Sequence, residues 1–239
     1  MIKWGPERAR AGPWRGDQAV AYLTPLADAP VPSAAFVRRC LDTLAERGYH
    51  RVVTGALSPT ESRGFLEAGF EVSERLHLLS HDLRVIPTTA PSMHRRAGWR
   101  DDPDVLAVDH LAFPDFWQLD AAGLREALRA TPRSRYRVVE RSPAPGVRTS
   151  EHSGLVGYAI TGRSGRRGYV QRLAVHPDCR GAGLGAALVI DGLRWLRRWR
   201  VRQAIVNTQF DNGRALALYE HLGFTRQPLG LSVLTAGLA

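Results

Sequence analysis

Lysine and cysteine are almost missing from this chain. Among 239 residues the one lysine is Lys3, and the two cysteines are Cys40 and Cys179. Two isolated cysteines make no disulfide framework, and a metal site would need other ligands grouped with them, so no metal is expected. Cys179 reads as a small residue in a turn rather than a nucleophile, because no His follows it at a motif-like spacing. Long apolar runs are also absent: nothing approaches the roughly 18 residues of a membrane-crossing helix. The opening "MIKWGPERARAGPWRGD" has charge and Gly/Pro punctuation where a secretory leader has an apolar centre. The expectations are a cytoplasmic protein and no membrane partner.

With a single lysine, the net charge of +10 rests almost wholly on arginine. Such a balance suits a polyanionic ligand, a phosphate-bearing cofactor included. The arginines run along the whole chain, with the densest cluster at "RWLRRWRVR" (194–202), and not in one stripe of the kind nucleic-acid binders carry. Nucleic-acid binding is the least favoured class. "RWLRRWR" reads as the exposed basic face of a helix, with Leu193, Leu196 and a tryptophan turned inward.

What is present is a chain that can fold: 44% of residues are hydrophobic, enough for one large domain or two small ones. Residues 33–50 have Phe36, Val37, Cys40, Leu41 and Leu44 at helical spacing, with Gly48 as a stop. Residues 51–57 read as a strand. Residues 58–70 read as a helix opened by Ser58 and Pro59 and ended by Gly69, and 71–83 as an extended segment. The stretch 84–99 is rich in Pro, Thr, Ser and Arg without periodicity and reads as a linker. Beyond it, helices are expected at 102–113 and 119–132, and strands at 135–141, 154–161 and 168–177. A helix at 184–199, a strand at 202–210, a helix at 211–224 and a last extended piece at 226–238 follow.

Helix, strand, polar turn, helix and "GF" occur at 33–70 and again at 187–224, an ungapped offset that matches Thr54 to Thr208 and Gly69-Phe70 to Gly223-Phe224. This pattern reads as an internal duplication. The first copy has no counterpart of "HPDCRGAGLGAALV" (176–189), where Gly181, Gly183 and Gly185 follow Arg180 between a strand and a helix. That arrangement collects free backbone N–H groups at the positive end of a helix dipole, and glycines let a phosphate approach them. A P-loop NTPase needs Lys-Ser/Thr after the last glycine, and Ala186-Ala187 stand there. A dinucleotide fold needs G-x-G-x-x-G, and "GAGLG" does not fit.

The residues "LAVHPDCRGAGLGAALV" and "NTQFDNGRALALYEHLGF" resemble the GNAT (GCN5-related) N-acetyltransferases. Arg180, Gly183 and Gly185 fit the family's Q/R-x-x-G-x-G/A signature, and Asn212, Tyr219 and Gly223-Phe224 fit its second motif. The resemblance covers residues 102–236. It implies an α/β fold with a mixed, mostly antiparallel sheet flanked by helices, plus a smaller degenerate GNAT-like N-terminal domain. The domains would be 1–83, a linker at 84–99, and a catalytic domain at 100–239. Residues Arg180, Gly181, Ala182, Gly183, Leu184, Gly185 and Ala186 would hold the diphosphate of acetyl-CoA, the co-substrate. Leu173, Ala174 and Val175 would pair with its pantetheine arm, and Asn212 would bond it near the thiol. The Val175 amide would serve the oxyanion, and Tyr219 would protonate the leaving thiolate.

The acceptor would be a primary amine of a small molecule or peptide, and the chain a monomer or homodimer. Alternatives are a protein N-terminal acetyltransferase of the ribosomal-protein type and a catalytically silent acyl-CoA-binding module. "AFPDFWQLD" (112–120) resembles an aromatic loop of the ribosomal-protein members, so Phe113, Phe116 and Trp117 would line the acceptor site; helix-end packing is the competing reading. Positions where relatives carry a basic glutamate hold Asn207 and Tyr169. Glu140, Glu151, Asp115, His110, His176 or a water chain would have to act as base. Phe65 stands where Tyr219 would be expected, without its hydroxyl, so residues 1–83 would do no acetyl transfer.

Overall fold

The computed structural model describes residues 1–26, 28–88, 94–140 and 154–238. The chain forms two compact units. The first is Met1–Leu78, Asn207–Gly213 and Gln227–Ala239; the second is Leu79–Val206 and Arg214–Arg226.

The first unit opens with an antiparallel meander of β1 (Ile2–Trp4), β2 (Glu7–Trp14) and β3 (Asp17–Pro25). These strands were not legible in the sequence. Their inward positions are filled by Ile2, Ala9, Ala21 and Leu23, and small alanines leave almost no period-two hydrophobic signal. α1 (Ala34–Ala45) buries Phe36, Val37, Cys40 and Leu44, the stripe its spacing implies, and Ser33 accepts from the Phe36 amide as its cap. Burial, reinforced by the Glu7 carboxylate, pushes the Cys40 thiol up to about 12, so this cysteine is a packing residue and not a nucleophile. β4 (Arg51–Thr54) runs parallel to β3. α2 (Pro59–Glu67) starts on a capping box between Ser58 and Glu61 with Pro59 in its first turn, worth about 1 kcal/mol. β5 (Glu71–His81) follows.

The second unit carries β6 (His94–Arg96), α3 (Asp102–Ala112), α4 (Ala121–Arg129), β7 (Arg133–Glu140), β8 (Leu155–Ser164) and β9 (Arg167–Val175). After these come α5 (Leu184–Arg198), β10 (Gln203–Gln209), α6 (Gly213–His221) and β11 (Thr225–Arg226). β6, β7, β8 and β9 pair antiparallel in that order, and β10 adds to β9 in parallel. β6 lies inside the stretch expected to be a linker: His94 pairs opposite Val139 and Arg96 opposite Arg137. His94 also reaches Asp191 on α5 at 3.0 Å. Three polar residues carry no period, and only tertiary pairing makes them a strand. β12 (Leu231–Gly237) returns to the first unit, where it pairs antiparallel with β4 and with β5. In both units the sheet is mixed and mostly antiparallel, with helices packed on it, as the resemblance implies.

The duplicated pattern is matched in three dimensions within each unit. The order β1–β2–β3–β4, antiparallel twice and then parallel, repeats as β7–β8–β9–β10. Phe65 meets Phe70 edge-on at 5.2 Å, and Tyr219 meets Phe224 edge-on at 5.5 Å. Thr54 and Thr208 are both buried, and the Thr54 Oγ1 accepts from the Leu234 amide at 2.9 Å. Gly69 and Gly223 both have positive φ, +96° and +89°, which lets the chain leave each helix and re-enter the core at Phe70 and Phe224.

His81 is buried, and its Nδ1 accepts from the Leu83 amide at 2.8 Å. Burial holds its pKa below the ordinary value of 6.5, against the opposing pull of Asp82 and a hydrogen bond with the Leu222 backbone. The unfolded chain therefore binds a proton at His81 more readily than the folded one, and stability falls as pH drops below about 6.5. Urea unfolding at pH 7.5 and 5.5 should show a lower midpoint at pH 5.5. His81→Gln should flatten that difference; an unchanged difference would remove His81 as its source.

Candidate functional site

α5 differs from its neighbours at its N-terminus. Ser33, Ser58 and Asp120 cap α1, α2 and α4 with side-chain oxygens. α5 has no side-chain cap and no acidic residue in its first turn. Among the described residues, the amides of 181–186 donate to no protein acceptor. The three glycines answer to two constraints. Gly181 and Gly183 have φ of +83° and +76°, which L-residues avoid. Gly185 is a packing position: a Cβ there would meet Leu218 at 3.4 Å and Val175 at 3.7 Å. The result is a bend of open amides at the positive end of a helix of four turns, where an anion's negative charge is stabilised.

Two arginines add to that charge. Neither Arg180 nor Arg214, in the first turn of α6, pairs with an acid among the described residues. Burial and then the charge of Arg214 lower the Arg180 pKa, so two like charges share one neighbourhood. A bound phosphate would relieve that repulsion. Arg214 was missed in the sequence. It lies two positions after Asn212, but only the fold brings it to Arg180.

Upstream of the bend, β9 and β10 pair only from Arg167/Gln203 to Tyr169/Ile205. β9 continues to Val175, pairing with β8 as far as Gly157/Val175. On its other side, residues 170–175, Leu173, Ala174 and Val175 included, carry no ladder to β10. A bulge at Gln171 breaks the β8–β9 register between Ile160 and Thr161. An unpaired strand edge leading to an uncapped helix is a place for an extended, amide-bearing ligand that ends in phosphate.

The first unit closes both features. β3 pairs with β4 over all four β4 residues, from Val20/Arg51 to Leu23/Thr54. At the N-terminus of α1, the Glu7 carboxylate accepts from the Ser33 amide at 2.5 Å and from its hydroxyl at 3.1 Å. The chain's own carboxylate stands where an external anion would have to bind.

Tyr219 is buried in an apolar cluster with Val189, Leu193, Leu222 and Phe224. Burial pushes its phenol well above the ordinary value of 10.0, so it stays protonated and remains a proton donor at neutral pH. Asn212 precedes α6 in the segment Asn207–Gly213 of the first unit, and its amide donates to the Gln209 carbonyl at 3.1 Å.

The aromatic segment is fastened by a buried network that the sequence reading missed. Asp109 on α3 is fully buried. It accepts two bonds from Arg172 of β9, at 2.8 and 2.9 Å, one from the Tyr158 hydroxyl at 2.5 Å, and one from the Leu119 amide at 2.7 Å. Arg172 also donates to the Trp117 carbonyl at 2.6 Å and lies 3.5 Å from the Phe113 ring centroid. Phe116 and Trp117 meet edge-on at 5.1 Å. Phe113 and Trp117 are therefore tied to the residue that precedes Leu173, Ala174 and Val175.

The carboxylates and histidines weighed as bases are engaged elsewhere. Glu140 accepts from Arg95 at 2.7 Å. Asp115 accepts from Gln118 at 2.9 Å. His110 bonds the Leu119 carbonyl at 2.8 Å, and His176 accepts from the Asp178 amide at 3.2 Å. Glu151 lies outside the described residues. Among the described residues, no group of His, Cys, Asp and Glu has the grouping of a metal site, and no helix is long and apolar enough to cross a membrane.

A mixed, mostly antiparallel sheet with helices packed on it defines the α/β fold class, and two solved structures share that fold. A tandem GNAT protein from the clavulanic acid biosynthesis pathway gives a TM-score of 0.63 at 16% identity, covering 92% of this chain and 76% of that one. A GCN5-related N-acetyltransferase from Sphaerobacter thermophilus gives 0.62 at 13%, covering 96% and 76%. At such identities they speak to the fold alone. The model of the Acetyltransferase (GNAT) family matches residues 105–224, and the chain belongs to that family. It is similar to the mycothiol acetyltransferase of Saccharomonospora viridis, 37% identical over 130 residues, which span 52% of this chain and 42% of that protein. The mycothiol acetyltransferase of Amycolatopsis mediterranei is 31% identical over 205 residues, 79% of this chain and 65% of that protein. The chain thus spans between 42 and 65% of the length of these relatives.

Calorimetric titration with acetyl-CoA should give one site per chain. Gly183→Glu should abolish binding, because it strains the bend and puts a carboxylate among the amides. Arg214→Ala should weaken binding about tenfold, the loss of one charge-assisted bond. Two sites per chain, or an Arg214→Ala affinity equal to wild type, would contradict this geometry.

Proposed function

We propose that this protein transfers the acetyl group of acetyl-CoA directly to the primary amine of a small molecule in a ternary complex. The observation that carries the reading is the unpaired β9 edge running into the uncapped end of α5. The residues fit the co-substrate: an amide-lined bend and two unpaired arginines for its phosphates, and a free strand edge for its two pantetheine amides. Acetyl-CoA supplies an activated thioester. Amides 181–186 with Arg180 and Arg214 would hold the diphosphate, and Leu173, Ala174 and Val175 would align the arm. Asn212 would bond it near the sulfur.

In the transfer, the amine nitrogen bonds to the acetyl carbon as the carbon–sulfur bond breaks. The Val175 amide would stabilise the carbonyl oxygen as it gains negative charge. Tyr219 would give its proton to the departing sulfur. The incoming amine loses its proton to water, since Tyr169 and Asn207 cannot act as bases. Phe113, Phe116 and Trp117, with Phe113 and Trp117 tied to Arg172, would form the acceptor wall. The name shared by the curated relatives, mycothiol acetyltransferase, supports a small-molecule amine over a protein N-terminus.

Thiol release measured over an amine panel tests the activity. Tyr219→Phe should lower kcat by about a hundredfold or more while acetyl-CoA affinity stays within twofold. The rate should rise with pH along the acceptor amine's own ionisation, with no enzyme group setting a lower limb. The raised phenol pKa means no decline from loss of the acid up to about pH 10. Saturable acetyl-CoA binding without thiol release on any amine would favour a silent acyl-CoA-binding module. Full turnover by Tyr219→Phe would refute the acid role.

A further inference from the structure

The sequence disperses its arginines, but folding gathers a group of them at one end of the second unit. The β8–β9 hairpin carries Arg163 at the end of β8, Arg166 in its turn and Arg167 at the start of β9. Arg133 on β7 pairs opposite Arg163, and the Arg202 amide donates to the Arg166 carbonyl at 2.8 Å. The last turn of α5 carries Arg197 and Arg198, just before Trp199, which stacks on Arg163. All are exposed except the half-buried Arg163. Segments 163–168 and 194–202 contain no Asp or Glu. None of these guanidinium groups forms an ion pair among the described residues.

Two further features mark the patch. The Arg163 guanidinium lies 4.3 Å from the ring centroid of Trp199, and its Nε is buried with no hydrogen-bond partner. Trp199 itself is 55% exposed. An exposed indole stacked on an arginine, at an end of the unit rich in arginine, matches a surface where bases stack while phosphates are neutralised. A lipid surface fits less well, because the neighbouring apolar side chains, Leu196 and Val201, are buried and leave little to insert. Duplex offers no free base face to the indole. The 15 residues of α5 place the patch about 22 Å from the amide-lined bend along the helix, so the two sites are separate.

We propose that this end of the second unit binds single-stranded polynucleotide, with the arginines on phosphates and Trp199 stacked on a base. The inference stands apart from the acetyl-transfer reading.

The test is fluorescence anisotropy of a labelled oligothymidylate of about 20 nucleotides with the full chain. Wild type should bind at low salt, with affinity falling as expected for roughly three or more phosphates. Saturating acetyl-CoA should leave binding unchanged. Arg166→Glu, Arg167→Glu and Arg202→Glu together should weaken binding at least thirtyfold. Reversing Arg47, Arg63 and Arg129, an equal change of net charge elsewhere, should cost less than threefold. Trp199→Ala should lose about fivefold or more with an unchanged melting temperature. Equal losses in the two charge-reversed variants would reduce the effect to net charge and overturn the proposal. So would displacement by acetyl-CoA, tighter binding to duplex, polyglutamate or phosphatidylserine vesicles, or no binding at low salt.

Discussion

The uncompensated N-terminus of α5 is the constraint around which the second unit is organised. A helix end with open amides and no cap costs stability that a serine or aspartate would restore by about 1 kcal/mol. α1, α2 and α4 take that gain with Ser33, Ser58 and Asp120. α5 does not, and Arg180 and Arg214 near it pair with no acid among the described residues. The glycines keep the amides open instead of letting the chain fold back over them. The interrupted β9–β10 ladder supplies an extended edge leading to the same point.

The two copies of the repeat show the difference between a scaffold and a site. Both keep the ring pair that seats the second helix, Phe65–Phe70 and Tyr219–Phe224. Both keep the buried threonine of the central strand. The first copy has zipped its parallel strands together along β4 and set Glu7 on the end of α1. Each change satisfies backbone groups internally and stabilises the fold. Each also removes the place where an external ligand would satisfy them. A hydroxyl separates Tyr219 from Phe65 at the matching position.

The Asp109–Arg172–Tyr158 network shows how the rest of the second unit is held. A carboxylate this deeply buried is tolerable only because four donors satisfy it. Such an ion pair adds little net stability over an apolar pair of the same shape. It does fix geometry: α3, β9 and the aromatic segment cannot shift independently while Arg172 spans them. The order of the 113–119 segment therefore depends on the strand that would carry the co-substrate.

Much of the architecture was readable from local pattern. The stripe of α1, the Ser58–Pro59 start of α2, the glycine bend and the Asn212–Tyr219 motif are all short-range signals, and the helices and most strands stand where periodicity and caps place them. Other elements were not readable. β1–β3 fill their inward positions largely with alanine, and β6 is three polar residues whose only reason to be extended is the neighbour they pair with. Arg214 meets Arg180, Asp109 meets Arg172, and Glu7 meets Ser33 across long stretches of chain. The scattered arginines became a patch only when a turn, a strand start and a helix end were brought to one place. The sequence by itself determined the helices, most of the strands and which bend stays open, because backbone propensity and capping act within a few residues. The tertiary structure alone decided which charges face each other and which strand edges remain unpaired, because Coulombic contact and ladder formation depend on distance in space, not on separation along the chain.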